Sequence, residues 1–257
     1  MADRVVVTRR QRLDTELVRR GLVSSRTEAS MLIDEHRVLV NGAIADKSSR
    51  LVDPGDAVVV SGPPARFVSR GGEKLDHALN SFAIDVTDRL VLDAGASTGG
   101  FTDCLLQRGA RRVIALDVGH GQLHPKIRHD ERVDVVERVN VREIEPDQYG
   151  GRVDLVVADL SFISLTVVAR ALVGMARDGA DVVALVKPQF EVGRREVSRG
   201  HGVVTDPDLH RQACDTVSEA FDDAGADVLG LVESPITGGE GNKEFLLHAR
   251  VRARLSP

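Results

Sequence analysis

Apolar residues fall along this chain in two rhythms. Over residues 12–34 they keep helical spacing. RLDTELVRRGL places Leu13, Leu17 and Val18 together and stops at Gly21, and SSRTEASMLIDEH places Ala29, Leu32 and Ile33 together behind Ser/Thr capping candidates. VLVNG then predicts a short strand entering an Asn-Gly turn, and DPGDAVVV a turn into a second strand. Beyond residue 75 the apolar positions become near-continuous Val/Leu/Ile runs: RLVLDAG, RRVIALDVG, RVDVVERVN, RVDLVVADL and DVVALVKP. Amphipathic stretches such as SLTVVARALVGMA lie between several of them, which predicts parallel strands buried on both faces. The last two runs, ADVLGLVESPI and KEFLLHARVR, are joined by a glycine-rich loop and predict an antiparallel pair at one sheet edge. The stretch SGPPARFVSRGG combines stiff and free backbone and predicts a linker. The organisation expected is a small α+β domain over 10–60, a linker over 61–73 and an α/β domain with a Rossmann-like sheet over 74–257.

Composition narrows the classes. A chain of 257 residues can bury one large core, or one large and one small. No apolar stretch reaches the roughly 18–20 residues that span a bilayer, and MADRVVVTRRQRLD has no apolar signal-peptide core. Cys104 and Cys214 have no metal-ligand spacing and make no disulfide framework, so no metal site and a reduced, cytoplasmic setting are expected. The net charge of −5 conceals an asymmetry: residues 1–74 hold 13 Lys/Arg against 10 Asp/Glu, and the rest 21 against 29. The N-terminal part is therefore the one suited to a polyanion.

The chemistry centres on VLDAGASTGGF, residues 91–101. It is not a P-loop, because no Gly-Lys-Ser/Thr follows the glycines. Gly95, Gly99 and Gly100 are spaced G-x-x-x-G-G, and Ser97 stands where a dinucleotide fingerprint has the glycine that admits a pyrophosphate. S-adenosylmethionine has no pyrophosphate and suits this bulkier turn. Asp117, ending the next strand, can accept both ribose hydroxyls of an adenosyl group, and Asn140, ending the third, can meet the adenine edge. The cofactor contacts expected are Asp93, Gly95, Ser97, Thr98, Gly99, Gly100, Phe101, Asp117 and Asn140; on these features alone nicotinamide binding stays open.

Methyl transfer to a ribose hydroxyl would need a base. A lysine serves only when deprotonated, held by carboxylates at the carboxyl edge of the sheet. Asp159 follows the fourth strand, Lys187 the fifth, Glu244 opens the last and Lys74 sits in SRGGEKL. The order Lys74, Asp159, Lys187, Glu244 behind DAGASTGGF resembles the Lys-Asp-Lys-Glu tetrad of FtsJ/RrmJ-type ribose 2'-O-methyltransferases. More closely, SRGGEKL, LDAGASTGGFT, DLVVADLSFISL, LVKPQFE and GNKEFLL resemble the TlyA family, which joins such a class I methyltransferase to an N-terminal alpha-L RNA-binding domain; RLDTELVRRGLVSSRTEA and RVLVNG are similar to that domain. The resemblance implies S-adenosylmethionine-dependent 2'-O-methylation of cytidines in ribosomal RNA, on free RNA or subunits, with an effect on sensitivity to tuberactinomycin antibiotics. It implies that Lys187 lies nearest the hydroxyl and Asp159 orients it, with Lys74 and Glu244 completing the set. A glycine commonly precedes the V-x-V-N-G strand in that domain; here His36 stands there, a residue that tolerates a left-handed backbone.

For RNA phosphates the first helix pair offers Arg9, Arg10, Arg12, Arg19, Arg20 and Arg26. With no Trp and one Tyr, extensive base stacking is not expected, and Phe67 is the aromatic candidate. Two rival readings remain. A haemolysin-like membrane-active protein would need membrane-seeking helices or barrel strands, and the basic N-terminal helices are interrupted by acids. A non-catalytic RNA-binding protein retaining the fold would have no need of the intact tetrad.

Overall fold

The computed structural model describes residues 10–254 except 24, 35, 63–64, 194–196, 199, 201 and 239–240. The chain divides into two compact units, Met1–Ser69 and Arg70–Pro257.

In the first unit β1 (Gln11–Arg12) leads into α1 (Leu13–Arg19) and α2 (Arg26–Asp34), followed by β2 (Val38–Val40), β3 (Ala43–Ile44), β4 (Leu51–Val52) and β5 (Val58–Val60). Leu13 and Leu17 of α1, with Ala29, Leu32 and Ile33 of α2, form the core expected from their spacing, closed by Val38, Val40 and Val52. Asn41 and Gly42 both hold positive φ (53° and 81°), the turn that pairs Val40 with Ala43. β2 pairs with β5 as well as β3. His36 is left-handed (φ 56°), the conformation that a glycine would otherwise supply there.

The second unit opens with α3 (Gly71–Ser81), followed by β6 (Leu90–Ala94), α4 (Gly100–Gln107), β7 (Arg112–Asp117), α5 (Pro125–Arg128), β8 (Val133–Glu137) and β9 (Val153–Ala158). It continues with α6 (Leu165–Met175), β10 (Ala176–Val186), α7 (Pro188–Glu191), α8 (Pro207–Asp223), β11 (Ala226–Glu233) and β12 (Phe245–Val251). The seven strands lie in the order β11-β12-β10-β9-β6-β7-β8. Pairs from β10 to β8 are parallel, and β12 runs antiparallel to both its neighbours. Leu155, Val156, Val157 and Ala158 are all fully buried, as a strand covered on both faces requires. β11, at the edge, alternates more and less exposed positions instead. Leu172 of α6 with Val217 and Phe221 of α8 share one core with Val156, Val182 and Leu247 of the sheet.

Two local expectations change. α3 begins at Gly71, inside the stretch read as linker, and Gly72 is buried in its first turn. Burial of Leu75, Ala78 and Leu79 along the same helix outweighs the roughly 1 kcal/mol that a glycine costs there. β8 ends at Glu137; Arg138 turns the chain at φ 63°, and Asn140 caps a single 3-10 turn over Val141–Glu143 rather than ending the strand.

Candidate active site

Strand register assembles the polar edge. Val186 pairs with Phe245, so the next residues outward, Lys187 and Glu244, stand at the same end of neighbouring strands. Ala158 pairs with both Ala184 and Ala94, which sets Asp159 between the start of α7 and the glycine turn. Lys74 comes from the first turn of α3. The four residues form two ion pairs: Lys187 Nζ lies 2.6 Å from Asp159 Oδ1, and Lys74 Nζ bonds Glu244 Oε2. Both lysine side chains are only 10 % exposed. Lys187 also donates to Ser161 Oγ at 2.9 Å.

Beside them lies a cavity of about 750 Å³ lined by Gly95, Ser97, Asp117, Asn140, Asp159 and Phe162 among others. Its lining combines carboxylates with apolar Leu116, Val118, Val139 and Val141. Gly95 is obligatory: at φ 88° an added Cβ would stand 2.4 Å from the carbonyl oxygen of Asp159. Ser97 adopts φ 47°, a left-handed strain of roughly 1–2 kcal/mol for a non-glycine residue. Its N–H donates to Asp117 Oδ2 at 2.8 Å, and the Gly119 N–H to Oδ1 at 2.6 Å. Each carboxylate oxygen thus keeps a lone pair for a further donor.

The other turn residues stand behind this lining. The Thr98 carbonyl accepts from the His124 N–H, Gly99 precedes α4 at φ 93°, and Gly100 and Phe101 are buried in the first turn of α4. Asp93 is fully buried, accepts from Thr102 Oγ1 at 2.6 Å and leaves Oδ1 without a partner. Desolvation pushes its carboxyl up to about 7, with the charges of Asp159 and Asp117 adding and the Thr102 bond opposing.

The first unit treats its arginines differently. Asp14, buried, accepts from Arg12 (2.9 Å) and Arg26 (2.8 Å), and the Arg12 bond holds its carboxyl well below the usual range. Glu16, also buried, accepts from Arg19 (2.6 Å) and Arg20 (2.7 Å) and is held down to about 2, chiefly by the Arg19 bond. Arg12, Arg19 and Arg26 remain 47, 53 and 62 % exposed. Arg20 is 20 % exposed and turns inward, donating to the carbonyls of Asp56 and Pro54. It braces α1 against the β4–β5 turn and has little left for a phosphate. Phe67 is 4 % exposed and offers no free face for stacking. Arg9 lies outside the described residues.

Sequence reasoning missed Ser161 and Phe162. Phe162 is 93 % exposed at φ 65°, beside the cavity, with its ring 5.5 Å from that of Phe190. Its position directly after DLS, three residues beyond Asp159, was the available signal.

An FtsJ-like methyltransferase model matches residues 67–251, and an S4 domain model matches residues 11–58. The chain is 50 % identical to the 16S/23S rRNA (cytidine-2'-O)-methyltransferase TlyA of Mycobacterium tuberculosis, over 96 % of this chain and 92 % of that protein. It is 31 % identical to the 23S rRNA (cytidine-2'-O)-methyltransferase TlyA of Campylobacter jejuni, over 90 and 96 %. A solved structure from Streptococcus thermophilus that carries a hemolysin name is 41 % identical, covers 96 % of this chain and 90 % of its own, and superposes with a TM-score of 0.76. The hemolysin and methyltransferase names belong to one family, and among the described residues no helix is long and apolar enough to cross a membrane. With the tetrad order, the glycine turn and the N-terminal S4 domain all in place, the chain belongs to the TlyA family of FtsJ-like methyltransferases.

Proposed function

We propose that this protein methylates the 2'-hydroxyl of cytidines in ribosomal RNA, using S-adenosylmethionine held in the cavity beside Asp159. The observation that carries this reading is the Lys187–Asp159 pair, 2.6 Å apart, whose Asp159 lines that cavity.

The residues present fit the cofactor. The free lone pairs of Asp117 suit two ribose hydroxyls, Asn140 offers an amide to an adenine edge, and Leu116, Val118, Val139 and Val141 supply apolar contact. Gly95, Ser97 and the helix start behind them shape the turn, while Asp93, Thr98, Gly99, Gly100 and Phe101 act by holding its backbone. S-adenosylmethionine supplies a methyl group on a positively charged sulfur.

The chain's own residues supply the rest. Asp159 and Ser161 fix the direction of Lys187 Nζ, so that its remaining position meets the ribose oxygen. Lys187, in its neutral form, takes the hydroxyl proton as the oxygen is methylated. Lys74 and Glu244, a second buried pair at the neighbouring strand end, hold the hydroxyl and balance charge around it. Phe162 presents a bare aromatic ring beside the cavity, a face on which the target base can stack. In the S4 domain Arg12, Arg19 and Arg26 meet RNA phosphates.

Transfer of labelled methyl from S-adenosylmethionine to rRNA of cells lacking the protein tests the reading. Label on cytidine 2'-oxygens is the expected result. Label on base atoms, or none on free rRNA or on either subunit, overturns it.

A further inference from the structure

The two segments that carry the Lys187–Asp159 pair are joined by a residue outside the tetrad. Glu191, ending α7, lies four residues after Lys187. Its Oε1 accepts the Leu165 N–H at 2.9 Å, and its Oε2 accepts the Ser164 hydroxyl at 2.5 Å. Ser164 and Leu165 open α6 and close the loop that begins at Asp159 and includes Ser161 and Phe162. The Leu165 N–H, at the helix start, has no intrahelical acceptor and finds one in Glu191, across from another segment of the chain. Ser164 already caps the helix by accepting from the Thr166 N–H at 3.1 Å.

We propose that Glu191 is a positioning residue that clamps the loop after β9 to the segment after β10 and thereby fixes Lys187 against Asp159 and Ser161. The inference rests on the methyltransferase reading above. Three cross-links then join the same two segments: Glu191 to Ser164 and Leu165, Phe190 to Phe162, and Lys187 to Asp159 and Ser161. The last is the reactive one, and its two partners alone do not fix the path of the loop. Lys187 and Asp159 each follow a strand end, where the chain leaves the sheet's hydrogen bonds and another restraint must set the spacing. An error of about 1 Å in such a spacing lowers turnover by about a hundredfold without weakening binding.

Glu191→Ala and Glu191→Gln, in the full chain, separate positioning from general support. The clamp needs hydrogen bonds rather than charge. A glutamine carbonyl at this position accepts the Leu165 N–H, and its amide donates to Ser164 Oγ, whose hydroxyl can turn to Thr166 Oγ1 2.6 Å away. The expected result is that Glu191→Ala lowers kcat about 10- to 100-fold while KM for rRNA and the Kd for S-adenosylmethionine stay within about twofold. Glu191→Gln restores most of the rate. Should Glu191→Ala fail to fold, Ser164→Ala removes the hydroxyl end of the clamp together with the α6 cap, leaves the Glu191–Leu165 bond, and is expected to lower kcat with KM unchanged. Wild-type turnover in whichever of these alanine variants folds, or Glu191→Gln as impaired as Glu191→Ala, overturns the proposal while an active wild type leaves the methyltransferase reading standing. An inactive wild type overturns both.

Discussion

Both units pair their cations with carboxylates, and to opposite effect. In the S4 unit Asp14 and Glu16 are buried while Arg12, Arg19 and Arg26 reach outward, 47–62 % exposed. At the sheet edge it is the lysines that are buried, their side chains 10 % exposed, while Asp159 keeps 22 % of its side chain open. Arginine stays charged at any pH a protein survives, so fixing it from beneath presents a permanent positive array. Lysine exchanges its proton when its surroundings demand it, and burial beside a cavity is where that exchange can matter. One arrangement displays charge; the other keeps a proton under control.

The largest effect that breaks the comparison exchanges the cations. Lys187→Arg places a permanent charge in the Lys187–Asp159 pair and is expected to lower methylation by about 10²- to 10⁴-fold, with S-adenosylmethionine binding retained by calorimetry. A rate near wild type would remove Lys187 from the base role. Glu244→Gln, which strips the buried Lys74 of its counter-charge, is expected to destabilise the fold by about 3–5 kcal/mol in denaturant titration. Arg19 and Arg20 sharpen the contrast within one helix turn. Arg19→Gln should flatten the log–log salt dependence of RNA binding by about one unit of slope. Arg20→Gln should leave the slope unchanged and instead lower stability by about 1–2 kcal/mol, because its bonds run to the Asp56 and Pro54 carbonyls.

A further test is one of pH, and the units move in opposite directions. Asp14 and Glu16 are depressed in the fold, so the stability they contribute is complete above about pH 4.5 and fades as the pH falls through their folded values. Asp93 is raised to about 7, so its contribution is complete below its ordinary value and is lost as the pH climbs toward 7. Asp93→Asn should therefore flatten the stability profile of the second unit between about pH 4 and pH 7. A profile unchanged by that substitution would show that Asp93 does not titrate there.

Apolar rhythm made the seven strands and the S4-unit core legible, because burial on one or two faces writes directly into residue spacing. The juxtaposition of Asp159, Lys187 and Glu244 was legible for a related reason, since strand ends mark one edge of such a sheet, whereas Lys74 reaches it from the first turn of α3. What escaped depends on contacts distant in sequence. Arg19 and Arg20 look alike until the β4–β5 turn brings the Asp56 and Pro54 carbonyls to one of them. Phe67 and Phe162 exchange roles for the same reason: no spacing rule reveals that one is covered and the other left bare by a positive φ. Glu191 reads as an ordinary acid after KPQF until α6 is placed beside it.

The position of β12 has a consequence for how this protein comes into being. It is synthesised after β10 and β11 yet lies between them, so β11, which pairs with β12 alone, cannot join the sheet until it arrives. Glu244 arrives with it, and Lys74, made 170 residues earlier, waits for its partner until then. A chain still growing on the ribosome, or broken off before that strand, therefore lacks the Lys74–Glu244 pair and the strand that flanks Lys187.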